Sequence, residues 1–181
     1  MKLRSGLVWF VSLIVLTGCA AKHPISFPVG GQLPPGETLV IGRITRTVNG
    51  KPEPWGNGSR IVGCTLDVQN VQVGQSHEHL VRGDGRFCWH LRPGSYHIGT
   101  INWGFVAESQ TDIRFRVPAK SKIVYIGTLH LQTRAGNPWF SMQVRDEYAD
   151  AVADFDEKYP GMQEVVDRQL MQLHRVIINL P

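Results

Sequence analysis

From Glu37 to Arg145, apolar residues recur at every second position in short runs, and glycine, proline or asparagine punctuates them. A period of two puts successive side chains on opposite faces of a strand, so one face of each run is built for burial and the other for water. Thr38–Val48 is rich in β-formers and ends at Asn49-Gly50, a strong hairpin signal. Residues 51–59 (KPEPWGNGS) read as a loop. Arg60–Val73 follows as a long strand with Val62, Cys64, Leu66 and Val68 on one face, then His77–Arg82, then Asp84-Gly85 as a second tight turn. Arg86–Leu91 points Phe87, Trp89 and Leu91 inward, Pro93-Gly94 turns the chain, and Tyr96, Ile98 and Thr100 alternate again. Thr111–Val117, Lys122–Leu131 and Trp139–Val144 complete about seven strands, which predicts a mainly β chain folded as an antiparallel sandwich over residues 37–145. The chain is 181 residues long and 42% hydrophobic, enough for one domain with a core and too apolar for full-length disorder.

Beyond residue 145 the period changes. Tyr148, Val152, Phe155 and Tyr159 are spaced as one stripe of a helix, with Asp150, Asp154, Asp156 and Glu157 mostly on the other side. Pro160-Gly161 ends it. Met162, Val165, Val166, Leu170 and Leu173 mark a second helix, and Val176–Leu180 is β-prone. Residues 146–181 are thus expected to form a short α-helical tail.

The N-terminus has a different logic. Two positive charges in residues 1–6 precede the apolar run LVWFVSLIVL of residues 7–16, and small residues follow. This is the layout of a secretory signal, and a run of about ten is half of the roughly 20 apolar residues a membrane-spanning helix needs. At its end, Leu16-Thr17-Gly18-Cys19 resembles the lipobox of bacterial lipoproteins. That resemblance implies cleavage after residue 18 and acylation of Cys19, giving a lipid anchor. Ala20 follows, where Asp would retain the protein at the inner membrane, so the expected location is the periplasmic face of the outer membrane. Residues 20–36 hold seven Pro or Gly and read as an extended tether, with a reach on the order of 55 Å. Loss of Lys2 and Arg4 leaves 17 basic against 15 acidic side chains, a balance too even to suggest a nucleic-acid partner.

The run from Asp84 to Ile98 (DGRFCWHLRPGSYHI) resembles the carboxypeptidase-regulatory-like domain, a prealbumin-like sandwich: an acidic-Gly turn, alternating aromatics and Leu, Pro-Gly, then Tyr and an aliphatic. The resemblance extends over about residues 37–131 and implies that two strands share a core across the Pro93-Gly94 turn. It implies a fold and no chemistry. The zinc-bearing domain of the peptidases that name the family is missing, and the C-terminus Ile178-Asn179-Leu180-Pro181 lacks the Tyr-Arg-Gly-Ser of a related purine-pathway hydrolase.

Few residues suggest reactivity. With Cys19 acylated, Cys64 and Cys88 remain in an oxidising compartment, where a disulfide closing a loop of about 24 residues would contribute roughly 3 kcal/mol. Strand parity opposes it, because Cys88 alternates with the inward Phe87 and Trp89, and two separate thiols are the other reading. His77 and His79 share a strand face, and His90 and His97 could lie across from each other, pointing away from the core. Their spacing matches no ligand pattern, so solvated sheet-face histidines are expected, with no metal and no cofactor. Trp55 and Trp103 lie in loops, where they either form a sugar- or peptide-binding platform or fold back to plug the core. No paired acids, Ser/His/Asp set or phosphate loop stands out. The expected function is a non-catalytic binding or structural module of the cell envelope, working through protein–protein contacts. The alternatives are a glycan- or peptidoglycan-binding module on the two tryptophans and a small metal-dependent hydrolase.

Overall fold

The computed structural model describes residues 25–56, 63–103, 107–134 and 137–179. The chain runs β1 (Thr38–Val48), β2 (Lys51–Pro52), β3 (Cys64–Asn70), β4 (Ser76–Val81), β5 (Arg86–Leu91), β6 (Gly94–Trp103), β7 (Ala107–Val117), β8 (Ile123–Arg134), β9 (Asn137–Arg145), α1 (Tyr148–Lys158), β10 (Val166–Arg168) and β11 (Gln172–Asn179). These make two sheets packed as a β-sandwich, as the alternation predicts. In the first, β1 lies between β8 on one side and β5 with β2 on the other, and β8 carries β9 and β10 on its outer edge. The second has the order β11-β7-β6-β3-β4. Pairing is mostly antiparallel, but β8 runs parallel to both β1 and β10.

The two sheets differ in how many faces they bury. Between them lies a core that includes Val40, Ile44, Leu66, Val68, Trp89, Ile98, Ile113, Val124 and Leu129. A second core of Leu39, Ile41, Cys88, Ile123, Tyr125, Phe155 and Tyr159 covers the outer face of the first sheet. The sequence reason is visible in Leu39-Val40-Ile41 and Ile123-Val124-Tyr125-Ile126, which are continuous apolar runs of the kind that strands buried on both faces require. Helix α1 supplies the cover with the predicted stripe: Phe155 and Tyr159 are buried, and Tyr148 meets Tyr125 edge-on at 5.6 Å. The molecule therefore has three layers, α1 on the first sheet on the second.

Three expectations are corrected. Residues 25–27 are not tether, and residues 20–24 lie outside the described residues. Ser26 bridges Trp89, the Phe27 N–H donates to the Cys88 carbonyl (2.7 Å), and the His90 N–H donates to the Ile25 carbonyl (2.9 Å), so this segment closes the free edge of β5. Ile25 enters one core and Phe27 the other, and that burial outweighs the extended bias of the Pro/Gly composition. Next, the second helix is two strands: Val166–Arg168 pairs with Ile123–Tyr125 and Gln172–Asn179 with β7, because both sheets offer open edges that a helix would leave unsatisfied. Residues 146–179 consequently form one helix plus two strands of the body. Across Pro93-Gly94 the two strands do share one core, with Trp89 and Leu91 from β5 beside Tyr96 and Ile98 from β6, and the turn carries the chain from one sheet to the other, since β5 pairs with β1 and β6 with β3 and β7. Finally, register shifts at Ile98/Thr100, so Ile101 takes the buried position expected of Thr100.

Candidate functional site

The residues singled out for chemistry are dispersed, and most are consumed by the fold. Cys64 faces the inter-sheet core and Cys88 the core under α1, and both thiols are free and buried. The disulfide reading is therefore corrected: alternation along β5 turns Cys88 away from the side that Phe87 and Trp89 share with Cys64. Burial pushes each thiol up to about 12, which leaves it protonated and a poor nucleophile at neutral pH. Tyr159 stands over Cys88, and burial together with the Cys88 sulfur raises its phenol too.

Two of the four histidines expected to be solvated are buried. His77 and His79 point into the sandwich from the edge strand β4, opposite Val68 and Leu66 in register, and are 8% exposed each. His79 packs edge-on to Trp89 (5.1 Å) and Phe87 (5.8 Å), with the Ser26 hydroxyl 3.4 Å from Nδ1. Burial, with a smaller contribution from Arg82, lowers its pKa to about 4, so it is neutral in the folded state. His90 and His97 belong to different sheets. His90 Nδ1 lies 2.6 Å from the Glu37 carboxylate, and His97 Nε2 donates to the Thr111 carbonyl at 3.0 Å. His130 is buried with Nδ1 at 2.8 Å from the Thr45 hydroxyl. Among the described residues, no three His, Cys, Asp or Glu groups come together as a metal site.

Trp55 is 7% exposed and belongs to the inter-sheet core. Its indole N–H donates to the Ile44 carbonyl, and the Arg46 guanidinium lies 4.7 Å from the ring centroid. Of the two readings of Trp55, the structure shows the one in which it folds back and plugs the sandwich, and no platform forms there. The turn beneath it explains the seat: Gly85 has φ +81°, and a Cβ there would fall 1.8 Å from the Ile44 carbonyl oxygen and 3.0 Å from the Trp55 indole nitrogen. The side chain of Trp103, and the whole of Cys19, lie outside the described residues.

Two surfaces remain. Beneath α1 a cleft with about 30 Å³ of free space is lined by Arg43, Arg86, Cys88, Asp154 and Tyr159. Arg86 spans it, pairing with Asp84 and with Asp154 (3.2 Å), and the space is small enough for little more than a water molecule. The second surface is the outer face of the second sheet, which no described element covers. Here Gln69, His97, Arg114 and Gln172 stand in one row across four strands by register. Arg114 grips Asp112 with two hydrogen bonds of 2.7 and 2.9 Å, which hold the Asp112 carboxyl below the usual carboxylate range. A shallow groove of about 810 Å³ runs over these residues. It mixes donors and acceptors with apolar side chains such as Val71 and Leu170, and among the described residues it holds no nucleophile with a base beside it. Sequence alternation carries this face only as a set of polar positions; which strands bring them side by side is a matter of topology. Comparison with protein families, with characterised proteins and with solved structures finds no match to this chain.

Proposed function

We propose that the chain is a lipid-anchored cell-envelope lipoprotein, held through Cys19 at the periplasmic face of the outer membrane, whose sandwich is a non-catalytic module acting by protein–protein contact. The observation that carries this reading is the open face of the second sheet. It presents an ordered row of polar and charged side chains, while the thiols and most of the imidazoles of the described residues are buried or bonded within the fold. The lipobox-like Leu16–Cys19 supports the anchor, and the Asp84–Ile98 resemblance to the carboxypeptidase-regulatory-like domain supports a binding role without chemistry. The amphipathic helix is not the contact surface, because its stripe is spent on the first sheet.

Crosslinking in intact cells, followed by purification and mass spectrometry, tests this. A discrete protein partner crosslinked through β3, β6, β7 or β11 is expected. Recovery should fall severalfold in Arg114→Glu, whose side chain is 59% exposed, and in Cys19→Ala. Recovery of no protein partner from correctly localised protein would overturn the reading.

A further inference from the structure

Residues 25–27 run antiparallel to β5, with Ser26 opposite Trp89 and Ile25 bonded to His90. Ile25, the first described residue, therefore lies at the end of the sandwich where β5 finishes, close to Leu91 and Arg92. Only six residue steps separate Ile25 from Cys19, a reach of about 20 Å even when fully extended. If Cys19 is acylated, this end of the sandwich faces the lipid at short range.

The same end carries a distinctive surface. Arg92 sits in the β5–β6 turn, where its carbonyl accepts from the Tyr96 hydroxyl at 2.8 Å. The Val71 N–H donates to the Ser95 carbonyl at 2.9 Å, which sets the β3–β4 turn beside it. Arg116 stands opposite Ser95, and Lys120 lies in the following turn, where the Ser121 N–H meets the Pro118 carbonyl. Arg92, Arg116 and Lys120 are exposed and have no carboxylate partner among the described residues, whereas the nearby Glu37 and Glu164 are paired with His90 and Lys122. Val71 and Val73, in the β3–β4 turn at this same end, are 60% and 72% exposed. Apolar tips and exposed cations at one end suit an interface with anionic headgroups, where each Lys or Arg contributes about 1 kcal/mol.

We propose that this end of the sandwich docks onto an anionic phospholipid surface, with Val71 and Val73 at the headgroup level and Arg92, Arg116 and Lys120 on lipid phosphates. The inference rests on the lipoprotein reading for its geometry. It directs the groove on the second sheet sideways along the membrane. The eleven residues of β1 place the Asn49-Gly50 end about 35 Å further out.

The test uses acylated full-length protein from envelope membranes, carrying a nitroxide at Val73→Cys or Lys51→Cys, in vesicles of phosphatidylethanolamine and phosphatidylglycerol. Buried Cys64 and Cys88 do not compete for the label. A paramagnetic headgroup lipid should relax the Val73 label strongly and the Lys51 label weakly. Reversing Arg92, Arg116 and Lys120 to Glu should lower the docked-to-undocked ratio about tenfold or more, and about 0.5 M salt should act the same way. Equal relaxation at both labels overturns docking whether or not the protein is acylated. The mass of the N-terminal peptide reports acylation separately: an unmodified Cys19 overturns the anchor, while Val73 immersion without it leaves docking standing alone.

Discussion

Cys88 lies beneath α1 against Tyr159, while Cys64 lies in the inter-sheet core, with the first sheet between the two environments. No rotamer change bridges them. A reductant should therefore leave the melting temperature unchanged, whereas loss of a bridge worth roughly 3 kcal/mol would lower it by about 6–12 °C in a chain of this size. Scanning calorimetry with and without reductant separates the two. His79 predicts a pH dependence. Its folded pKa of about 4 lies below the unfolded value near 6.5, so the unfolded chain binds the extra proton. The neutral imidazole's contribution is complete above about pH 6.5 and declines as pH falls toward 4, by about 3 kcal/mol in all. The groups facing it are Phe87 and Trp89 from β5, Ser26 from the N-terminal segment and Arg82 beyond β4. Urea midpoints between pH 7 and 4.5 should fall more steeply in the native protein than in His79→Phe. Equal slopes would place the acid sensitivity elsewhere.

The segment 25–36 behaves as an element despite its composition. It supplies two buried anchors, Ile25 and Phe27, and accepts the Tyr159 hydroxyl at the Phe27 carbonyl, so it locks β5 to α1. Burial of two such side chains contributes about 3–6 kcal/mol. A chain beginning at Glu37 should melt well below one beginning at Ala20, and equal melting temperatures would show the segment to be dispensable. Two other elements show where local pattern was enough and where it was not. The α1 stripe was legible, because a 3.6-residue period has one natural outcome beside an apolar sheet face. Residues 162–173 were not: their apolar spacing also fits a helix, and the choice fell to the edges of β8 and β7, which the local sequence does not contain.

Across the molecule, the layers follow from how each strand spends its alternate positions. Sequence alternation was sufficient for a two-sheet sandwich, for Phe87, Trp89 and Leu91 in its core and for the Asn49-Gly50 turn, where φ is +51° and +77°. These are properties of neighbouring residues, set by strand pleat and backbone sterics. Assignment of strands to sheets was beyond it. Leu39 pairs with Ile123 across more than eighty positions, and β5 and β6 part company at Pro93-Gly94 although they are adjacent in the chain. That assignment buried Trp55, separated Cys64 from Cys88 and His90 from His97, and lined up Gln69, His97, Arg114 and Gln172 on one open face. Periodicity tells each side chain which way it faces along its own strand; which neighbour it meets depends on contacts between distant segments, which form only when the whole chain has buried its apolar faces together.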